Sequence, residues 1–195
     1  MNTIVDLRTT LKCVQGNNPR SISFMIQTTT SSDSRIIYTG SLVNFGNFGI
    51  FINNLGIINV DIYSVWYSPS TGKAINDGLW HTVLVTYDGT TLFIYVDGVF
   101  DNTATNWNVA TTATIASTLN TIGNSGNYLG QWADGISYKW IGQLKNVIFY
   151  DYVITNSYAL ANSYQLAGSI LYNSGTISTI TICYYVIIIY IKAIL

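Results

Sequence analysis

Carboxylates and histidines build most hydrolytic and metal-dependent sites, and this chain has few of them. Its nine acidic residues are all aspartate, glutamate is absent, and the one histidine is His81. Acid–base hydrolysis of a glycosidic bond needs two carboxyl groups held on either side of that bond, and no Asp-x-Asp spacing occurs. His81 has no second histidine with which to share a metal, so we expect it to be a packed residue at a sheet edge. We therefore predict no catalytic residues and no enzymatic activity.

Aromatic side chains are the second group that could do chemistry, since they form 14% of the chain and include 5 Trp and 15 Tyr. A ring beside a polar loop can stack on the apolar face of a sugar, while nearby Asn, Thr and Asp groups bind its hydroxyls. The same rings could instead cover loops or contact another protein. The candidate ligand-binding residues in or beside polar loops are Trp66, Tyr67, Trp107, Tyr128, Trp132 and Tyr138.

Charge and length limit the class of protein further. The 8 basic and 9 acidic residues give a net charge of -1 and form no run of like charges. Binding to nucleic acid is therefore not expected, because the phosphate backbone requires a basic surface. Charged residues are only 9% and hydrophobic residues 49% of the 195 residues. This composition predicts one globular domain with a proper core rather than a disordered chain.

The elements that must position these side chains are predicted to be β-strands, because short apolar runs alternate with Gly, Asn, Asp and Ser. The clearest signal is an antiparallel meander at Leu79–Phe100, with turns at Asp88-Gly89 and Asp97-Gly98. Asn124–Gly135 is predicted to be a loop, and Ser157–Leu166 is the one segment expected to be helical. The other predicted strands are Ser21–Thr28, Arg35–Thr39, Gly49–Asn53, one or two within Ile57–Tyr67, a short one near Asn120–Gly123, and one within Trp140–Tyr152.

Three of these segments carry a family resemblance: Asn18–Thr28, Asp77–Gly98 and Gly142–Asp151. Their order and residues resemble the concanavalin A-like, or laminin G-like, jelly-roll family over about residues 17–166. The resemblance implies an all-β fold, an antiparallel two-sheet jelly-roll β-sandwich, in a domain at 1–168. Two positions depart from the family pattern, which commonly has a tryptophan at Met25 and an acidic pair at Lys145-Asn146.

The resemblance implies a function less closely than it implies the fold, because this fold hosts lectins, adhesion modules, virion decorations and glycosidases. The glycosidases use paired glutamates, which this chain lacks. We therefore expect a non-catalytic module that binds glycan or another surface through its rim loops. The alternative is a structural, virion or cell-surface decoration protein that makes protein contacts. No cofactor is expected except calcium, which some family members hold at the rim; the candidate ligands here are Asp101, Asp134 and Asp151.

The two ends of the chain leave alternatives open. Cys13 and Cys183 could form one bridge, since jelly-roll termini often lie side by side, or could be two thiols. The apolar tail at 169–195 could be a membrane anchor or a set of strands that closes the sheet, and we favour the anchor slightly. The N-terminus has no secretory signal, so synthesis in the cytoplasm is expected, with association with a membrane or virion left open.

Overall fold

The computed structural model describes residues 5–6, 16–40, 46–62, 65–67, 71–104, 127–130, 132, 137–154, 185–187 and 191–192. Within these ranges the chain forms strands and no helix. The strands are β1 (Val5–Asp6), β2 (Arg20–Gln27), β3 (Ser34–Gly40), β4 (Asn47–Ile52), β5 (Ile58–Ile62), β6 (Val65–Tyr67), β7 (Trp80–Tyr87), β8 (Leu92–Val96), β9 (Val99–Ala104), β10 (Asn127–Leu129), β11 (Gln143–Tyr150), β12 (Tyr185–Ile187) and β13 (Ile191–Lys192).

The strands form two antiparallel sheets, and this confirms the predicted jelly-roll β-sandwich. The first sheet has the order β1-β10-β3-β4-β5-β6, and the second has the order β12-β11-β2-β7-β8-β9, with β13 also paired to β11. Because neighbouring residues of a strand face opposite sides of the sheet, every second side chain enters the core. The core between the sheets includes Ile22, Phe24, Ile26, Ile37, Phe48, Ile50, Val83, Val85, Leu144 and Phe149.

The predicted loop at Asn124–Gly135 was wrong in part, because it contains the strand β10. Asn127, Tyr128 and Leu129 pair with Thr39, Tyr38 and Ile37 of β3. A strand of three residues in a glycine-rich stretch has too little alternation to be recognised, and its partners lie about ninety residues earlier in the chain. The expected strand near Asn120–Gly123 and the expected helix at Ser157–Leu166 lie outside the described residues.

Two parts of the C-terminal tail belong to the second sheet. Val147, Ile148 and Phe149 of β11 pair with β12, and Gln143 and Leu144 pair with β13. This is the arrangement expected if the tail closes the sheet, and the slight preference for an anchor gains no support from it. Within the described ranges, no helix has the length and apolar composition needed to cross a bilayer. The rest of the tail, Cys13 and Cys183 lie outside those ranges.

His81, at the start of β7, connects the segment before this strand to the β8–β9 turn. Its imidazole is buried, with Nδ1 2.7 Å from Asp97 Oδ2 and Nε2 2.9 Å from Asp77 Oδ1. Lys73 Nζ also lies 2.5 Å from Asp97 Oδ2. Asp77 belongs to the segment before β7, whereas Asp97 is in the β8–β9 turn. His81 is therefore a packed residue, as expected, but not at a sheet edge, because β7 lies between β2 and β8. We call His81 with Asp77 and Asp97 the His81 clamp.

We expect the free energy of unfolding to be largest in mildly acidic solution. Burial opposes charging of the imidazole, but hydrogen bonds to Asp97 and Asp77 outweigh it and raise the pKa of His81 above 6.5. The charged His81 therefore stabilises the folded state fully below pH 6.5, and this contribution is lost as the pH rises through the raised pKa of His81. The hydrogen bond from His81 lowers the pKa of Asp77 below 3.8. Partial burial acts to raise the pKa of Asp97, but hydrogen bonds from Lys73 and His81 outweigh it and lower that pKa. The stability that these two carboxylates contribute is lost as the pH falls through their lowered pKa values.

Urea unfolding at pH 5.5 and pH 8.5 measures this difference. The wild-type protein should be more stable at pH 5.5, and His81→Gln should remove most of the difference, since glutamine does not titrate. An unchanged difference in the variant would show that other groups cause it.

Candidate functional site

A β-bulge in β3 determines where Arg35 lies. Arg35 pairs with Phe51 of β4, and Ile37 pairs with the next residue, Ile50, so that Ile36 is an extra residue. Neighbouring residues of β4 face opposite sides of the sheet. Ile37 and Ile50 face the core, and Arg35 and Phe51 therefore face outward. The bulge places the arginine on the outer face of the first sheet.

On this outer face Arg35 forms an ion pair with Asp61 of β5. Arg35 Nη1 lies 2.6 Å from Asp61 Oδ1, and only 12% and 7% of the two side chains are exposed. Asp61 is directly opposite Gly49 of β4, and its carboxylate lies where a β-carbon of residue 49 would be. Burial raises the pKa of Asp61, although the charge of Arg35 and hydrogen bonds from Arg35 and Asn47 partly offset that rise.

Aromatic rings surround the guanidinium group of Arg35. Its Cζ is 4.1 Å from the ring centre of Trp132, 4.4 Å from that of Phe51 and 5.8 Å from that of Tyr138. At such distances the cation is attracted to the ring faces, most strongly where water is excluded. Arg35 thus holds rings from β4 and from the segment between β10 and β11 in one place.

The ring cluster extends across β3 to β10. Tyr38 meets Trp132 edge to face with ring centres 5.2 Å apart, and it lies 6.5 Å from Tyr128. Trp132 and Tyr138 meet edge to face at 6.3 Å. Edge-to-face contacts are favourable because the positive edge of one ring meets the negative face of the other. We call the whole set the Arg35 face: Arg35, Tyr38, Phe51, Asp61, Tyr128, Trp132 and Tyr138.

Backbone hydrogen bonds hold the described residues on either side of Trp132 and Tyr138 against β3. Gly130 N donates to Ile36 O at 2.9 Å, Trp140 N donates to Gly130 O at 2.9 Å, and Arg35 N donates to Tyr138 O at 2.7 Å. Tyr138 has a φ of 51°, which is unusual for a residue other than glycine. These bonds hold Tyr138 beside β3 while 52% of the residue stays exposed. These bonds therefore fix the position of Tyr138 relative to β3 while its side chain stays accessible.

The Arg35 face combines three of the six residues predicted to bind ligand. Tyr128, Trp132 and Tyr138 lie together there. Trp66 and Tyr67 lie in β6, where Trp66 pairs with Asp61 and Tyr67 pairs with Val60. Trp107 lies outside the described residues. Whether any of the six binds a ligand stays a prediction.

Sequence reasoning missed Arg35, Asp61, Tyr38 and Phe51. Each of them lies in a predicted strand, where the sequence pattern gives it no role beyond the fold. One signal in the sequence indicates the ion pair. Arg35 and Asp61 are charged residues inside predicted apolar strands, and charged residues are rarely buried unless they are paired.

The candidate calcium ligands do not form a site among the described residues. In those ranges, no three His, Cys, Asp or Glu side chains come close enough to hold a metal ion. Asp101 Oδ1 accepts a hydrogen bond from Lys73 N at 2.7 Å. Asp151 is exposed after β11, and Asp134 lies outside the described residues. Calcium binding stays a prediction.

The outer face of the second sheet also carries aromatic rings. Phe100 of β9 is 52% exposed and meets Tyr95 of β8 edge to face at 5.8 Å. The ring of Trp80 is less exposed, and Lys145 Nζ lies 3.9 Å from its centre. Lys145 pairs with Met25 in the β11–β2 register, and Asn146 Nδ2 lies 3.7 Å from Met25 Sδ. Met25 and the Lys145-Asn146 pair, which depart from the family pattern, are therefore neighbours on this face. Lys145 covers one side of the Trp80 ring.

Comparison with known families gives one match over most of the chain. Residues 4–158 match the family described as the concanavalin A-like lectin/glucanases superfamily. A search of curated proteins found no significant match.

Several solved structures are similar to the chain in fold. Ruminococcus gnavus IT-sialidase CBM40 bound to alpha2,3 sialyllactose has 16% identity and a TM-score of 0.61, covering 83% of this chain and 92% of that one. The NanB sialidase from Streptococcus pneumoniae has 19% identity and a TM-score of 0.60, with 83% and 26% covered. Mouse laminin alpha1 domains LG4-5 have 20% identity and a TM-score of 0.48, with 75% and 38% covered. The chain thus spans nearly all of the CBM40 but only part of the other two proteins.

Proposed function

The chain belongs to the concanavalin A-like lectin/glucanases superfamily, and we propose that it is a non-catalytic carbohydrate-binding module whose Arg35 face binds glycan. The observation that carries this proposal is the cluster of rings around the Arg35–Asp61 pair. Rings held in fixed positions, one of them half exposed, offer the apolar surface on which a pyranose stacks.

Two further observations support a binding role. The fold is shared with a CBM40 whose solved structure holds sialyllactose, and the chain spans 92% of that module's length. The Arg35 face also lacks the chemistry of hydrolysis, because its one described carboxylate, Asp61, is buried and paired with Arg35. Hydrolysis of a glycosidic bond requires two carboxyl groups placed about 5 to 9.5 Å apart.

Replacing Tyr138 with alanine should reduce glycan affinity about tenfold or more, because a stacked aromatic ring at a binding site commonly contributes at least about 1.4 kcal/mol. The protein is first applied to a glycan array with and without calcium. The best glycan is then titrated calorimetrically against wild type and variant. Tyr138 lies in a loop and is half exposed, so its removal should leave the melting temperature within a few degrees.

Tyr152→Ala is the matched control, since Tyr152 is also exposed, at 43%, but lies after β11 and packs on Tyr150. It should bind glycan as the wild type does. Equal losses in both variants, or a blank array, would contradict the proposal.

A second candidate function is a protein contact through exposed loop side chains that include Tyr138 of the Arg35 face. The exposed side chains are Leu55, Leu79, Tyr138 and Ile141. The loops of Leu55, Leu79 and Ile141 are joined through the β2–β3 loop, since Asn54 N donates to Asp33 Oδ1, Gly78 N donates to Thr28 O and Thr28 Oγ1 donates to Ile141 O. Exposed apolar side chains grouped at loop tips are typical of interaction surfaces. A blank glycan array would favour this function.

A further inference from the structure

Given the proposed glycan-binding function, we infer that the Arg35 face does not favour acidic glycans over uncharged ones. Arginine on a sugar-binding surface normally suggests a carboxylate or sulfate ligand, because its guanidinium fork matches those groups. The surroundings of Arg35 remove that preference.

The first reason is that the charge of Arg35 is already neutralised inside the protein. Asp61 Oδ1 lies 2.6 Å from Arg35 Nη1, and the hydrogen-bonding amide of Asn47 also supports the carboxylate. An acidic ligand beside Arg35 would meet the attraction of the guanidinium and the repulsion of Asp61 at similar range. The two effects largely cancel, so a negative charge on the ligand adds little affinity.

The second reason is that the guanidinium group is shielded. The ring centres of Trp132 and Phe51 lie 4.1 and 4.4 Å from Arg35 Cζ. Only 12% of the Arg35 side chain is exposed. A ligand therefore meets the rings before it meets the charge. Arg35 acts as a positioning residue that holds the rings, and the exposed ring of Tyr138 provides contact that does not depend on charge.

Among the described residues, Lys139 is a cation that could add a preference for acidic glycans, because it is exposed and directly follows Tyr138. An exposed lysine is strongly hydrated and its interactions are screened by salt, so its effect on affinity should be small at physiological ionic strength. The variant Lys139→Gln tests this point separately from Arg35.

The experiment compares matched glycans, each with and without sialic acid or sulfate, on the full chain at physiological ionic strength. We expect the acidic member of each pair to bind no more than about threefold tighter than the neutral member. We expect the ratio to change little in Lys139→Gln and at higher salt.

Asp61→Asn is the variant in which a preference for acidic glycans should appear. The asparagine has nearly the same shape and leaves Arg35 with an uncompensated charge, so acidic glycans should gain about tenfold or more over neutral ones. Asp97→Asn is the matched control, since Asp97 also accepts contacts from a cation but lies in the His81 clamp. It should leave the ratio unchanged. Circular dichroism confirms that both variants fold.

The outcomes separate this inference from the proposed function. Binding of acidic members alone, or an acidic preference lost in Lys139→Gln, overturns the inference and leaves glycan binding in place. An unchanged ratio in folded Asp61→Asn also overturns it. Absence of binding to every glycan overturns the proposed function, and the inference fails with it.

Discussion

Replacing Gly49 with alanine should lower the free energy of unfolding by about 3 kcal/mol and abolish glycan binding, although it adds a single methyl group. The new Cβ would overlap Asp61 Oδ1 and lie 3.2 Å from Asp61 Cγ and 3.3 Å from Arg35 Nη1. Asp61 is buried, with 5% of the residue exposed, and close packing in protein interiors limits how far such a side chain can move. The methyl group therefore separates the ion pair, and the loss of one partner leaves a buried charge uncompensated.

A double-mutant cycle with Asp61→Ala tests this mechanism by chemical denaturation. In the Asp61→Ala background the overlapping carboxylate is absent, so adding Gly49→Ala should cost less than about 1 kcal/mol. Gly49 does not have a positive φ, so alanine causes no backbone strain there. An equal cost of Gly49→Ala in both backgrounds would show that the methyl group acts through another contact.

Deleting residues 177–195 should lower the melting temperature by several degrees and promote aggregation. The deletion removes β12 and β13, which pair with five residues of β11. The β11 backbone would then form an unpaired sheet edge, and such edges pair with other chains. Differential scanning fluorimetry and light scattering measure the two effects.

Deletion of residues 193–195 is the control, because it removes none of the described pairs with β11. It should leave the melting temperature and the monomer fraction unchanged. If the longer deletion gives an equally stable and soluble protein, the tail does not contribute to the fold, and the anchor alternative is favoured.

The fold could be predicted from sequence because its strongest signals are local. The meander at Leu79–Phe100 appears as β7, β8 and β9, since alternating side chains and Asp-Gly turns act over a few residues. The strand β10 was missed because its pairing with β3 is non-local. Three residues contain too few alternations to show which partner they will find.

The candidate site could be predicted only in part for a related reason. Tyr128, Trp132 and Tyr138 are visible as aromatic residues in a polar stretch. Arg35 is not, because its outward position depends on the bulge at Ile36. Its pairing with Asp61 depends on a glycine in the intervening strand. Such contacts arise between strands and leave no periodic signal along the chain.

Mapping bound glycan by backbone-amide NMR tests the central claim most directly. The protein is titrated with the best glycan from the array, and chemical-shift changes are followed residue by residue. We predict that the largest changes fall on Arg35, Phe51, Trp132 and residues 137–139, and that Tyr138→Ala suppresses them. Changes centred instead on Trp80 and Lys145, or saturable binding with no change at the Arg35 face, would contradict the claim.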